Sequence, residues 1–232
     1  TDLQFSPDLK EIDGAAFRGC ASLEAVEIPE SVERLGAFVF ENCTNLKTAR
    51  IHCTITVLED GFFAKCVSLT DVELPDSLQR ISGAFTNCES LKNIQLPDSV
   101  RWIERDAFAN CKSLVLMLLP ESVEEIDVSA FENCSSLRAI ELSSKLTEIP
   151  DKAFFGCTAL REVELPDGIT RIGRDAFSYS GVYRVNIPEG VRTIDDFAFF
   201  SCERLMNLSI PASTEKLGWR AFSECRALRS IS

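Results

Sequence analysis

Residues 21–43 read ASLEAVEIPESVERLGAFVFENC, and residues 89–111 read ESLKNIQLPDSVRWIERDAFANC. Both follow one pattern, L-x-x-V-x-I-P-x-S-V-x-x-I-x-x-x-A-F-x-x-C, which recurs along the whole chain of 232 residues. The closing cysteine, replaced once by serine, returns every 23 or 22 residues, at Cys20, Cys43, Cys66, Cys88, Cys111, Cys134, Cys157, Ser180, Cys202 and Cys225. A fixed period of about 20–50 residues is typical of a solenoid, in which each repeat forms one coil.

The first half of the repeat predicts a short strand that ends in a turn. Val26 and Ile28 alternate with Glu27, so the two apolar side chains face the core and Glu27 faces away from it. Pro29 follows at once, and because proline has no backbone N–H, it ends the strand. The same proline recurs in most repeats.

The second half predicts a return segment and a closing aromatic residue. Val32 and Leu35 lie three residues apart, so both can face inward from an extended or loosely helical segment. An Ala-Phe step then closes the coil, and we expect the phenylalanines to stack as one column, made of Phe17, Phe40, Phe63, Phe85, Phe108, Phe131, Phe154, Phe177, Phe199 and Phe222. Each contributes about 1.5–3 kcal/mol if fully buried, which makes this column the main stabiliser.

Stacking such coils predicts an α/β-type solenoid of the leucine-rich repeat kind. We expect a right-handed superhelix with a parallel sheet on its concave face and short irregular, 3-10 or extended segments on its convex side. Residues 1–232 form one such solenoid, with about nine complete repeats of 22–23 residues and a partial repeat at each end. A coil cannot bury its own apolar edge, and no capping segment is evident, so the chain is expected to be a piece of a longer molecule.

Composition and spacing argue against several functional classes. The net charge is -12, which disfavours nucleic acid as a partner, and no apolar run approaches the roughly 20 residues that cross a bilayer. The single histidine, His52, is followed by Cys53, but neighbouring side chains on an extended segment point apart and cannot share a proton. The cysteines lack metal-ligand spacing. We therefore predict no enzymatic activity, no metal site and no cofactor.

The cysteines themselves predict a file of buried free thiols. Nine of the ten occupy the same point of successive coils, so each would face a cysteine above and below without a unique disulfide partner. Cys53 lies off this file, where we expect an irregular, partly exposed turn.

The exposed positions of the predicted strands give the candidate binding surface. In KSLVLMLLP, Val115, Leu116 and Leu118 are apolar where the other repeats carry mostly polar side chains, and exposed apolar clusters mark contact sites. The next repeats add the remaining candidates, Ala139, Glu141, Glu162, Glu164, Tyr183 and Arg184. An alternative for the charged residues is a solvated strip of cross-strand ion pairs. Trp102 is a further large aromatic residue outside the core pattern.

Residues 68–88, SLTDVELPDSLQRISGAFTNC, resemble the repeat of the BspA-like branch of leucine-rich repeat proteins, and this resemblance spans essentially the whole chain. It implies an extracellular or cell-surface protein that recognises or adheres to a protein partner through the concave sheet. The alternative is an intracellular or organellar scaffold, one subunit of a larger assembly whose neighbours cover the open ends of the solenoid. Ten free cysteines favour this alternative, because oxidising compartments normally convert thiols to disulfides.

Overall fold

The structure, a computed structural model, describes residues 2–231 and consists of stacked coils with two rows of short strands. Every coil contributes one strand to a second face, and every coil except that of residues 89–111 also contributes an earlier strand to a first face. The first-face strands are β1 (Asp2–Leu3), β3 (Ala25–Ile28), β5 (Thr48–Ile51), β7 (Asp71–Glu73), β10 (Leu116–Leu118), β12 (Ala139–Glu141), β14 (Glu162–Glu164), β16 (Arg184–Asn186), β18 (Asn207–Leu208) and β20 (Ser230–Ile231). The second-face strands are β2 (Glu11–Ile12), β4 (Arg34–Leu35), β6 (Val57–Leu58), β8 (Arg80–Ile81), β9 (Trp102–Ile103), β11 (Glu125–Ile126), β13 (Glu148–Ile149), β15 (Arg171–Ile172), β17 (Thr193–Ile194) and β19 (Lys216–Leu217). We number the coils 1 to 10 by the phenylalanine that closes each, from Phe17 to Phe222.

The return segment is extended throughout, so the predicted α/β class and the 3-10 segments were wrong: residues 2–231 contain no helix. The backbone hydrogen bonds give the reason. The Val32 N–H closes a turn on the Pro29 carbonyl at 3.2 Å, and the next two N–H groups, of Glu33 and Arg34, donate to Lys10 of the preceding coil at 2.8 and 3.2 Å. Because these bonds run between coils rather than along the chain, the segment pairs as a parallel strand. The protein is a parallel-sheet β-solenoid.

Pairing is parallel on both faces, and the strands alternate between core and solvent as predicted. On the first face Ala25 lies opposite Thr48, and Leu116 lies opposite Ala139. Strands β10, β12, β14 and β16 all bury their central residue and expose the two flanking ones. The first face therefore presents two exposed side chains per strand to a partner.

The first face lacks a strand at coil 5, and its strand pairing also stops between β12 and β14 and between β16 and β18. Residues 93–95 occupy the strand position of the repeat but form no strand, so β7 and β10 have no paired strand between them. Ile94, the central residue of this segment, is only half-buried, whereas its equivalent in the next coil, Met117, is fully buried. The interruption leaves a depression beside β10.

The phenylalanine column runs through the whole stack as predicted. Successive rings from Phe17 to Phe222 have centroids 5.0–5.7 Å apart and interplanar angles of 1–24°. The column rings of coils 2 to 9 are fully buried. This column packs against the apolar residues of both faces in one continuous core.

The cysteine file lies beside this column, and its thiols are free. Each buried thiol donates to the carbonyl of the column phenylalanine one coil earlier, for example from Cys134 to Phe108 at 3.2 Å and from Cys157 to Phe131 at 3.2 Å. Burial raises the pKa of Cys43 to about 11 and that of Cys134 to about 12. These thiols are hydrogen-bonded core groups rather than nucleophiles.

A third ladder of hydrogen bonds joins the turns that carry the column. In coil 1 the N–H groups of Ala15, Phe17 and Gly19 donate to coil 2 at 2.7–2.9 Å. The turn points these N–H groups at the next coil because two of its residues have a left-handed backbone. In every coil from 1 to 10 the first of them lies two positions before the column phenylalanine, and the second lies two positions after it. Glycine and asparagine adopt this conformation at the lowest cost, and they fill several of these positions. We call the surface over these turns the turn side of the solenoid.

Candidate functional site

The apolar candidates lie where the sequence pattern puts them, on the exposed edge of β10. Leu116 is 39% exposed and Leu118 is 49% exposed, while Met117 between them is fully buried. Val115 precedes the strand and is half-buried. Two neighbouring leucines thus face solvent although the core beneath them is complete.

The charged candidates follow on the next strands of the same face. Glu141 of β12 lies opposite Leu118, and Glu162 of β14 lies opposite Arg184 of β16. Tyr183 donates a hydrogen bond from its hydroxyl to Glu162. All nine candidates therefore belong to one surface, which we call the first-face surface: Val115, Leu116, Leu118, Ala139, Glu141, Glu162, Glu164, Tyr183 and Arg184.

An apolar depression of about 490 Å³ adjoins the two leucines. Its floor and walls include Ile94 and Leu96 of the interrupted coil together with Leu119 and Pro120. Sequence reasoning missed this feature, because residues 91–97 follow the repeat pattern and give no sign that the strand is lost. The depression gives an apolar side chain of a partner a place to insert beside Leu116 and Leu118.

An acidic depression of about 750 Å³ lies next to it and shares Leu119 as a boundary. Its carboxylates are those of Glu121, Glu141, Glu162, Glu164 and Asp167. Among the residues that the structure describes, the three candidate carboxylates, Glu141, Glu162 and Glu164, form no ion pair. The alternative of cross-strand ion pairing therefore does not describe this part of the sheet.

The first face carries neutralised charges in its earlier coils. Arg50 contacts Asp71 at 2.7 Å and Glu73 at 3.2 Å, and Lys47 contacts Glu24 at 2.8 Å. Since these cations already hold the neighbouring carboxylates, they add little net field at the surface. Beside the exposed leucines, in coils 6 to 8, the candidate carboxylates form no ion pair among the described residues, and neither do Arg138, Arg161 and Arg184.

Two further sequence candidates lie away from this surface. Trp102 is on the second face, where the guanidinium of Arg80 lies 5.0 Å from its ring centroid. His52 is held 2.9 Å from Glu27, and Cys53 is fully buried, so the expected partly exposed turn was wrong for the cysteine. Its side chain points into the core while that of His52 points outward.

Stacked coils, parallel strands on the first face and a short second-face strand in every coil define a leucine-rich repeat protein. The BspA type Leucine rich repeat region matches the chain in six copies, over residues 1–114, 60–183 and 170–232. The chain belongs to this family. Proteins of the leucine-rich repeat class are generally protein-interaction modules and are typically non-enzymatic.

Solved structures of bacterial leucine-rich repeat proteins are similar to the chain. One from Bacteroides ovatus is 26% identical, with 96% of this chain and 82% of that chain covered and a TM-score of 0.50. The T. pallidum Leucine Rich Repeat protein is 32% identical, with 73% and 69% covered and a TM-score of 0.53. One from Eubacterium ventriosum is 22% identical, with 88% and 59% covered and a TM-score of 0.71, and it shows the shared fold. The search of curated proteins returned no match.

Within residues 2–231, no helix is long and apolar enough to cross a lipid bilayer.

Proposed function

We propose that the chain is a non-enzymatic protein-binding module that holds its partner on the first-face surface. The observation that carries the proposal is the exposure of Leu116 and Leu118 beside an apolar depression on the first face. Interfaces draw most of their affinity from a few apolar or aromatic anchors that become desolvated at their centre. The two leucines and the depression provide such a centre.

The charges around this centre indicate the partner's chemistry. The carboxylates of Glu141, Glu162 and Glu164 form no ion pair among the described residues, so a partner with lysine or arginine beside its apolar anchor would pair with them. Charge complementarity of this kind mainly raises the association rate and selects among partners. We expect a partner surface that is apolar at its centre and basic on one side.

We propose further that this module acts outside the cell or on its surface, as recognition or adhesion proteins do. Support comes from membership of the BspA type family, whose resemblance implied this location. A location outside the cell is compatible with the net charge of -12, because such a charge keeps a protein soluble and limits nonspecific adsorption to anionic surfaces.

The test replaces both leucines, Leu116→Glu together with Leu118→Glu, and measures retention of the partner from the native source on immobilised protein. Both side chains are on the surface, so the variant should fold as the wild type does, which circular dichroism checks, and should lose the partner. Leu217→Glu is the matched control, because Leu217 is also an exposed strand leucine, 53% exposed, but lies on the second face of coil 10. Equal retention by the double variant and the wild type would remove the first-face surface as the binding site.

A scaffold function inside a cell or organelle is the second candidate, and the ten free cysteines favour it. In that case neighbouring subunits cover the ends of the stack, and the first-face surface is not essential. The same retention experiment then gives the opposite pattern, with loss of the partner in Leu217→Glu and not in the double variant.

A further inference from the structure

Five aromatic side chains form a continuous ridge on the turn side of coils 7 to 10. Phe155 contacts Tyr179, Tyr179 contacts Phe200, Phe200 contacts Phe197, and Phe197 contacts Trp219, with ring centroids 5.0–5.6 Å apart. All four contacts are edge to face, with interplanar angles of 69–85°. Because they lie outside the stacked column of the core, these rings form a separate structure, which we call the aromatic ridge.

The ridge is not part of the repeat. Tyr179 stands where coils 2, 4, 5 and 6 carry asparagine and where coils 1 and 7 carry glycine. Phe155 and Phe200 stand where other coils carry alanine, serine, threonine, arginine or glutamate. The aromatic side chains thus belong to this end of the solenoid and are not required to build a coil.

Two of the rings occupy backbone positions that disfavour them. Tyr179 has φ 58° and Phe197 has φ 57°, both in the left-handed region that every coil uses at these positions. A bulky aromatic side chain is costlier there than the glycine or asparagine found in other coils. Tyr179 is also 49% exposed, so burial does not offset that cost in full. Because the left-handed backbone belongs to the turn of every coil, the exposed ring of Tyr179, rather than its backbone, is the feature that indicates a contact surface.

Three cations lie over the ridge. Lys152 lies 5.9 Å from the centroid of Phe155, Arg174 lies 5.8 Å from that of Phe197, and Arg220 lies 4.6 Å from that of Trp219. Among the described residues, Lys152 and Arg220 form no ion pair, whereas Arg174 lies 3.6 Å from Asp175. The ridge therefore combines aromatic rings with two unpaired cations, on a protein of net charge -12, while Asp175 and Asp196 border it.

We propose that the aromatic ridge is a second docking surface, distinct from the first-face surface, and that it binds an acidic peptide segment with aromatic or proline side chains between its carboxylates. The carboxylates would pair with Lys152 and Arg220, and the apolar side chains would pack on Tyr179 and Phe200. Tyrosine, tryptophan and arginine are the residues that dominate binding energy at interfaces. The negative field of the rest of the surface repels an acidic segment elsewhere and so favours its arrival at this strip.

Aromatic rings and cations also suit single-stranded nucleic acids and anionic polysaccharides, whose bases or sugar rings can lie on the rings. Such polyanions present charge over a long distance, and the acidic residues of the surrounding surface would oppose them. A short segment matches the length of the ridge, which spans four coils at about 4.8 Å each.

The experiment selects peptides from a random dodecapeptide phage library on the immobilised wild-type chain, with Tyr179→Asn as the counter-selection target. We expect the retained sequences to be enriched in aspartate or glutamate together with aromatic residues or proline. The synthesised consensus peptide, titrated by fluorescence anisotropy, should bind Tyr179→Asn and Lys152→Glu about tenfold more weakly than the wild type.

Matched variants separate this outcome from damage to the fold. Phe38→Ser changes an exposed phenylalanine at the left-handed position of coil 2 that corresponds to Phe197, and Lys145→Glu reverses an exposed charge away from the ridge. Both should keep the wild-type affinity, and Tyr179→Asn should unfold at the same urea concentration as the wild type or a higher one. Enrichment of basic peptides, equal affinity of Tyr179→Asn and wild type, or Tyr179-dependent retention on heparin at about 0.15 M salt would each overturn the proposal.

Discussion

Removal of one central ring should test whether the phenylalanine column holds the stack together. Phe108 is fully buried, and its ring lies 5.3 Å from that of Phe85 and 5.5 Å from that of Phe131, with interplanar angles of 5° and 1°. Phe108→Ala therefore removes a buried side chain and both of its stacked contacts. Substitutions of this type cost about 3–5 kcal/mol, a large fraction of the roughly 5–15 kcal/mol that a whole domain possesses.

The cavity that Phe108→Ala leaves lies in the middle of the stack, and this position adds a second expectation. Each coil contacts only its neighbours, so a weakened coil 5 should uncouple coils 1–4 from coils 6–10. Unfolding in urea should then lose cooperativity, which appears as a smaller dependence of the unfolding free energy on urea concentration. The two tryptophans help to follow this, since Trp102 lies in coil 5 and Trp219 in coil 10.

Phe222→Ala is the matched control, because Phe222 is only half-buried and stacks at 5.2 Å on the ring of Phe199 alone among the column rings. We expect it to cost about 2 kcal/mol or less. Urea titrations of the two variants, followed by circular dichroism and tryptophan fluorescence, give both losses. Equal losses, or a loss below about 2 kcal/mol for Phe108→Ala, would falsify the idea that the column is the main stabiliser.

Two further predictions concern charge. Because burial raises the pKa of Cys134 to about 12, the folded state keeps a proton that the unfolded thiol loses near pH 8.5, so stability should fall as the pH rises from about 8.5 towards 12. Urea titrations of the wild type and of Cys134→Ser at pH 8 and pH 10 measure this effect. In the variant, the drop in unfolding free energy between the two pH values should be smaller by about 2 kcal/mol. An equal drop in both proteins would mean that this thiol ionises in the folded state. Arg171 contacts Glu148, Asp151 and Asp195 at 2.6–3.1 Å and is about one-third exposed. Arg171→Met should therefore lower the unfolding free energy by about 1–2 kcal/mol at pH 7. Arg192→Met, which breaks a single exposed pair with Glu215, should lower it by at most about 0.5 kcal/mol. The pKa of Asp195 is lowered, because hydrogen bonds from Lys216 and Arg171 outweigh the opposite effect of burial. The stability lost in Arg171→Met should therefore shrink as the pH falls below about 3.9 and this carboxylate is protonated. A loss that stays constant in acid would contradict this network.

The stack of parallel coils could be predicted from the sequence because the repeat fixes it many times over. The strand is marked by the alternation of Val26, Glu27 and Ile28, and Pro29 ends it. Because the same order returns in later repeats, a wrong assignment made from one repeat would disagree with the others. The phenylalanine column and the cysteine file follow from the same argument, since equal spacing along the chain becomes equal position in the stack.

The return segment could not be assigned from spacing alone. Val32 and Leu35 are three residues apart, a distance that suits one face of a helical turn as well as an extended segment with a bend. The choice depends on where the backbone N–H groups find acceptors, and the carbonyl of Lys10 in the neighbouring coil provides one. That acceptor comes from another repeat, so no pattern within one repeat reveals it.

The binding surface was accessible to sequence reasoning in part. Leu116 and Leu118 stood out because their repeat departs from the polar pattern, and the structure exposes both. The depression beside them depends on the lost strand at residues 93–95, whose sequence is regular. Departures of composition are visible in a repeat sequence, whereas departures of geometry are not.

The sequence by itself determined that the chain forms coils, which residues fill their core, and which strand carries exposed leucines, because these follow from a period and an alternation that are local. Only the tertiary structure decided that the second face is extended, that the sheet breaks at coil 5, and that five aromatic residues spread over residues 155–219 meet as one ridge. Each of these depends on hydrogen bonds or ring contacts between residues about 20 positions apart, which form only when neighbouring coils stack.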